Sequence, residues 1–147
     1  MTSDNSNFYT ITLIFSLIAA LLVFLTDFGG WYVYDSYYQD LYYYFYLGSG
    51  ITPVFYQILL VIVGLLLIAI AYFSYKGLRE DLNADQLNMI LYGSITAFAL
   101  TIIITLLFLW YVSDSDEWWL DTGFYAALVG SSFSWFFLSR IKDGSEK

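Results

Sequence analysis

Cysteine and histidine are both absent from this chain of 147 residues. Without cysteine there are no disulfides and no thiolate metal sites, and without either residue haem cannot be held by histidine or cysteine. The absence of histidine also excludes imidazole-based catalytic triads and proton relays. The chain is therefore predicted not to be an enzyme, with no catalytic, cofactor-binding or metal-ligating residue and no cofactor.

Charge is scarce as well, because 12% of the residues are charged whereas 60% are hydrophobic. Four apolar runs, 8–25, 54–75, 89–112 and 124–138, contain no Asp, Glu, Lys or Arg. A helix needs roughly 20 residues to cross a hydrocarbon core about 30 Å thick, and three of the runs have that length. The fourth is shorter and needs interfacial anchors. We expect four transmembrane helices, at about 8–26, 54–75, 89–112 and 123–139.

The basic residues predict the orientation of these helices. They follow the second and fourth runs and are Lys76, Arg79, Arg140, Lys142 and Lys147. A chain with four spans places all of them on one side, which the positive-inside rule makes cytoplasmic. The prediction is an all-α, multi-pass protein of the cell membrane. It has a single four-helix transmembrane bundle over 1–147, both termini cytoplasmic, and an outer loop at 27–53.

The opposite side is predicted to carry acidic charge alone. Its acidic residues are Asp27, Asp35, Asp40, Asp114, Asp116, Glu117 and Asp121. Such a surface repels nucleic acid, which is not expected as a partner. The segment SDSDEWWLD, at 113–121, offers the oxygen ligands that calcium prefers, but in no diagnostic spacing. A solvated acidic rim beside an aromatic membrane anchor is the favoured interpretation.

The outer loop is the most unusual part of the sequence, since ten of the sixteen residues at 31–46 are aromatic. Its first half, WYVYDSYY, is rich in strand-forming types, whereas DLYYYFYLG suits either a strand or an interfacial helix turn. We expect an ordered cap that recognises a protein, lipid or glycan, with a membrane-interface belt as the equal alternative. The candidate interaction residues are Trp31, Tyr32, Tyr34, Tyr37, Tyr38, Tyr42, Tyr44, Tyr46, Trp118 and Trp119.

Small residues recur at helical spacing in the third and fourth runs. They are Gly93 and Ala97 in one, and Ala126, Gly130 and Ser134 in the other. Small side chains let membrane helices approach closely, so these faces predict packing within the bundle, with a partner helix as the alternative. Gln57, the only amide in the runs, is interpreted as an interhelical hydrogen-bonding residue rather than a substrate ligand.

The short segment between the second and third runs contains a helix-start signal. Asn83 is followed three residues later by Gln86, the spacing of a capping box, which predicts that the third helix begins near Ala84. The same segment opens like a calcium loop, but Gln86 stands where such a loop needs glycine.

In organisation the chain resembles the claudin-like tetraspan group. The points of likeness are four helices, a short cytoplasmic turn, a strand-forming first outer loop that starts at GGWYVY, and the lead-in WWLDTGFYAALVGSS to the last span. The family's glycine-leucine-tryptophan signature is represented by Trp31 alone, and its two cysteines are missing. The resemblance implies a four-helix fold and a structural role.

Three functions fit these observations. The first is a non-catalytic structural, interaction or assembly subunit whose partners are the lipid bilayer and other membrane chains, or copies of itself. The second is an accessory subunit of a larger membrane enzyme or respiratory complex. The third is a small oligomeric channel or transporter, which is disfavoured because the runs contain no Asp, Glu, Lys, Arg or His.

Overall fold

Each apolar run forms one α-helix, and the loops at one end of the helices form a sheet. The structure is a computed structural model that describes residues 3–35, 37, 39–80 and 82–145. The helices are α1 (Ser3–Leu25), α2 (Val54–Arg79), α3 (Ala84–Tyr111) and α4 (Thr122–Ser145). The strands are β1 (Gly29–Asp35), β2 (Gln39–Phe45) and β3 (Glu117–Leu120).

Three of the helices have the length and composition needed to cross a membrane. They are α1 from Asn5 to Leu25, α2 from Val54 to Arg79 and α3 from Ala84 to Tyr111. The helices extend beyond the predicted spans at the end away from the sheet, where polar turns continue α2, α3 and α4. The predicted capping box is confirmed: Asn83 Oδ1 accepts a hydrogen bond from Gln86 N at 2.8 Å, and Gln86 Oε1 accepts one from Asn83 N at 3.3 Å.

The four helices form a closed ring in which α1 contacts α2 and α4, and α3 also contacts α2 and α4. Successive helices run in opposite directions, because the strands connect α1 to α2 and α3 to α4 at one end and a short segment connects α2 to α3 at the other. The core is mainly apolar, with Leu60, Leu67, Ile104, Phe108 and Leu138 almost completely buried.

The outer surface of the helices is apolar, whereas part of the interior is polar. Large hydrophobic side chains are exposed on all four helices, among them Leu21, Ile58, Leu106 and Phe136. Several buried hydroxyls donate to carbonyls one turn earlier in their own helix, as Ser131 Oγ does to Ala127 O at 2.6 Å, whereas those of Thr12 and Ser74 have no hydrogen-bond partner among the described residues. This distribution is expected of a protein in lipid. Because lipid is as apolar as the core, burying an apolar side chain between helices there contributes little stabilising free energy.

Close helix contacts depend on three glycines. A Cβ on Gly130 of α4 would lie 2.2 Å from the Ala19 Cβ of α1. On α2, a Cβ on Gly64 or Gly77 would lie 2.4 or 2.7 Å from the ring of Phe24 or Tyr9. α1 is therefore packed tightly against both neighbours, and the two α2 positions did not stand out in the sequence.

The other small residues singled out in the sequence occupy different environments. Ala97 and Ser134 are fully buried and Ala126 is half-buried at the edge of the core. A Cβ on Gly93 would meet nothing within 4 Å. Gly93 therefore does not provide a close approach between helices within this chain.

The outer loops form one antiparallel sheet with strand order β2-β1-β3. Gly29–Asp35 is the strand that the first half of the aromatic loop predicts, and the second half forms β2 rather than a helix turn. β3 was not expected, because a four-residue EWWL segment with two tryptophans matches a membrane anchor equally well. The central strand thus comes from the first outer loop and has one edge strand from each outer loop.

Gly130→Ala tests the close contact between α1 and α4, with Gly93→Ala as the matched control. The added methyl at Gly130 has to displace Ala19, so we expect a loss of about 1–3 kcal/mol in unfolding free energy. The same methyl at Gly93 enters open space and removes a helix glycine, so its effect should be neutral or stabilising. Denaturation in detergent followed by circular dichroism measures both; equal effects would contradict this packing.

Candidate interaction surface

The sheet has an inner face against the bundle and an outer face directed away from it. Paired residues of neighbouring strands share a face, and successive residues alternate. Trp31 pairs with Tyr43 and Trp118 on the inner face, whereas Gly30 pairs with Tyr44 and Trp119 on the outer one. The register therefore divides the aromatic residues of the loops into two groups with different roles.

Trp31 anchors the inner face to the helices. Its side chain is 7% exposed, stacks on Tyr43 with the ring centroids 5.2 Å apart, and meets Tyr111 edge-on at 5.5 Å. Two residues after Tyr43 on β2, Phe45 is fully buried, and its ring centroid lies 5.3 Å from that of Phe108. The sequence analysis names Trp31 as a candidate contact residue. Its side chain is instead buried between the sheet and the helices, where a partner cannot reach it.

The outer face is centred on Trp119, whose indole lies across the central strand. A Cβ on Gly30 would be 2.4 Å from Trp119 Cζ2, so the absence of a side chain there allows the ring to lie against the backbone. The indole contacts Tyr44 and Tyr42 at centroid distances of 6.0 and 6.5 Å, and Tyr42 contacts Tyr32 at 5.1 Å. Four aromatic side chains from three strands therefore form a continuous surface, here called the outer aromatic face: Tyr32, Tyr42, Tyr44 and Trp119.

Most of the remaining candidate residues are open to the surroundings. Tyr34 and Tyr42 are 65% and 60% exposed, and Tyr37, Tyr44, Tyr46 and Trp118 are also exposed. Tyr32 and Trp119 are half-buried because they pack on their neighbours. Tyr38 lies outside the described residues.

The acidic residues of the second outer loop support the sheet. Asp116 N donates to Tyr32 O at 3.1 Å, and the Asp116 carboxylate accepts from Tyr34 N at 2.7 Å. Asp121 accepts from Thr122 N at 2.7 Å at the start of α4. Within the described part of the chain, no group of three or more acidic side chains is placed to hold a metal ion. The acidic segment thus holds β3 beside β1.

Gln57 ties the loop after β2 to α2. Its amide donates to Ser49 O at 3.0 Å and to Thr52 O at 2.8 Å, and its carbonyl accepts from Gly48 N at 3.1 Å. The sequence interpretation of an interhelical bond was therefore wrong, because the partners are backbone groups of the adjacent loop. Gly48 has a positive φ of 87°, which a glycine adopts without strain.

Asp27 lies where α1 passes into the sheet, beside Asp121. Partial burial raises the pKa of the Asp27 carboxyl above its usual 3.8, and the nearby negative charge of Asp121 raises it further. The backbone of the same residue is engaged, since Asp27 O accepts from Gly123 N at 2.8 Å. The junction between sheet and bundle therefore contains a carboxylate that is easier to protonate than in the unfolded chain.

Asp27→Asn should stabilise the protein at neutral pH. A raised pKa means that the folded state binds the proton more tightly, so this contribution to stability is present below pH 3.8 and is lost as pH rises through the raised pKa. The melting temperature of the variant should exceed that of the parent at pH 7, and the gap should close toward pH 4. Asp114→Asn, at an exposed carboxyl, is the control. A gap that is independent of pH would contradict the assignment.

Comparison with known proteins identifies no relative, since no family model, no curated protein and no solved structure matches this chain.

Proposed function

We propose that this chain is an integral membrane protein of four spans that acts as an interaction or assembly subunit, through contacts made by the outer aromatic face. The observation that carries the proposal is the division of the sheet into a buried anchoring face and an exposed aromatic one. Exposed Tyr and Trp side chains held in fixed positions are favoured protein contacts.

The surface of α4 supports a fourth span beside the three apolar helices. Val129, Phe133 and Phe136 are exposed on it, and α4 packs against both α1 and α3. A helix packed antiparallel among spanning helices shares their depth in the bilayer. Near the end of α4 away from the sheet, the Arg140 guanidinium lies 5.2 Å from the centroid of the Phe136 ring. The Arg79 guanidinium lies 4.8 Å from the centroid of the Tyr75 ring on α2. Both arginines can thus extend from lipid to the same aqueous side.

We propose that the sheet lies outside the cell and both termini lie in the cytoplasm, as the positive-inside rule predicts for the basic residues at the other end of the bundle. The chain has no cysteine, so a single introduced thiol reports its own location without background. We expect Tyr37→Cys, next to the sheet, to react with a membrane-impermeant maleimide in intact cells, and Ala84→Cys, at the start of α3, to react only after lysis. Both positions are exposed. The reverse labelling pattern would overturn the proposed orientation.

Lateral contacts within the bilayer are a second part of the proposed role. An apolar groove of about 360 Å³ runs between α1 and α4 and is lined by Ala126, Gly130 and Ala19, among others. Gly93 presents an open position on α3. Both features suit an approaching helix or a lipid chain, since small residues permit close contact.

The two other functions receive different support. An accessory subunit of a larger membrane enzyme would use the same outer aromatic face, so it remains the main alternative. An oligomeric channel is disfavoured because Thr101 and Thr105 donate to backbone carbonyls one turn earlier, at 2.8 Å each, and their hydroxyls are thereby engaged. The claudin-like structural role remains compatible with a sheet that begins at GGWYVY, although the cysteine pair is missing.

A photo-crosslinking amino acid at Tyr42, followed by gentle purification and mass spectrometry, tests the proposed contact. Tyr72 is the matched control, because it is 60% exposed, as is Tyr42, but lies on α2. We expect a discrete, stoichiometric adduct from position 42 and none from position 72. Adducts only from position 72 would place the interface on the helices, and no adduct from either would refute a stable partner. A cofactor-bearing partner would favour the accessory-subunit alternative.

A further inference from the structure

Acidic residues lie beside the outer aromatic face, in and next to β3. Glu117 pairs with Tyr32 and lies two residues before Trp119, so its exposed side chain is on the same face of the sheet as the indole. Asp116 and Asp121 flank the same strand. The sequence has no Lys or Arg at 1–75 or at 80–139. The basic side chains Lys76, Arg79 and Arg140 belong to helix turns at the opposite end of the bundle.

We propose that this face binds a basic segment of a neighbouring protein, with an Arg or Lys side chain lying on the Trp119 indole and Glu117 as its counter-charge. The inference rests on the proposed function and specifies the chemistry of the partner. The Trp119 ring lies against the backbone at Gly30, where a Cβ would be 2.4 Å from Cζ2 and 2.6 Å from Cε2, and the side chain is partly exposed. A cation above an indole face is attracted by the negative π surface, and Trp is the strongest of the aromatic partners.

Charge distinguishes a basic protein segment from a neutral ligand such as a glycan. A sugar ring also stacks on an indole and its hydroxyls donate to carboxylates, but a neutral sugar carries no charge and is not attracted by the acidic field from a distance. A cationic partner is attracted by the acidic field from a distance. One of its basic side chains is then bound by the Trp119 indole and Glu117. Binding should weaken with added salt, because these exposed charges are screened beyond a Debye length of about 8 Å at physiological ionic strength.

Peptide binding to the whole chain in nanodiscs of zwitterionic lipid tests the proposal. The probe is a fluorescent peptide of alternating arginine and glycine, and the control probe replaces each arginine with citrulline, which keeps the shape and loses the charge. Fluorescence polarisation gives both affinities. We expect the arginine peptide to bind at least tenfold more tightly at low salt, and the difference to shrink as salt is added.

Two variants, each with a matched control, localise the site. Trp119→Leu should weaken arginine-peptide binding about five- to tenfold, whereas Trp110→Leu, at an exposed tryptophan on α3, should not. Glu117→Gln should weaken binding about threefold, whereas Asp114→Asn, at an exposed acid in the turn before β3, should have less effect. Glu117 is exposed, so its variant should fold normally even if Trp119→Leu disturbs the sheet; near-ultraviolet circular dichroism checks both.

Equal binding of the two peptides, or equal losses in each variant and its control, would overturn the cationic-partner proposal. So would an arginine peptide that does not bind at all. If the crosslink from position 42 is still obtained in those cases, the interaction role stands and only the partner chemistry is wrong. If position 42 yields no adduct and neither peptide binds, both proposals fail.

Discussion

The contact between Phe108 and the inner face of the sheet joins the helical part of the molecule to its strands. The Phe108 ring is fully buried, 5.3 Å from Phe45 and 6.4 Å from Trp31. Gly29 makes this approach feasible, because a Cβ there would lie 3.0 Å from the Phe108 ring. Burial of each large apolar side chain contributes about 1.5–3 kcal/mol, and a sheet of three short strands needs such support to be stable.

This junction also determines how the exposed aromatic residues are presented. Because the inner face is packed on α3, Trp119 and Tyr42 on the outer face are held in a defined arrangement rather than on a mobile loop. Binding to such a preorganised surface would cost little free energy for ordering it. The hydrogen bonds of Asp116 to Tyr32 and Tyr34 hold β3 in register and so help to position the indole.

The bundle has a different character, and its three long apolar helices suggest a lipid environment. Its outside is lined by Leu, Ile and Phe, and its interior includes hydroxyls such as Ser16 and Ser134 that bond to their own backbone at 2.6 Å. Where lipid is as apolar as the core, helices associate through close contact, and Gly64, Gly77 and Gly130 provide it. The two parts of the molecule thus use glycine in the same way, to bring an aromatic ring or a helix against the backbone.

Local chemistry allowed several features to be predicted from the sequence alone. The length of each apolar run positions one helix, the Asn83–Gln86 spacing defines the start of α3, and the aromatic and β-branched composition of Gly29–Asp35 favours a strand. Each of these depends on residues that are close together in the chain. They were sufficient to predict a mostly helical chain with helices long and apolar enough to cross a membrane, and an ordered aromatic cap.

The tertiary structure alone decided which aromatic residues are buried and which are exposed. Trp31 and Trp119 both lie in short strands of the outer loops, yet one anchors the sheet and the other covers its outer face. That difference depends on the pairing of β1 with β3, strands from two separate loops, and on which face of β1 meets Phe108. No local pattern contains this information, because moving a strand by one residue exchanges its two faces.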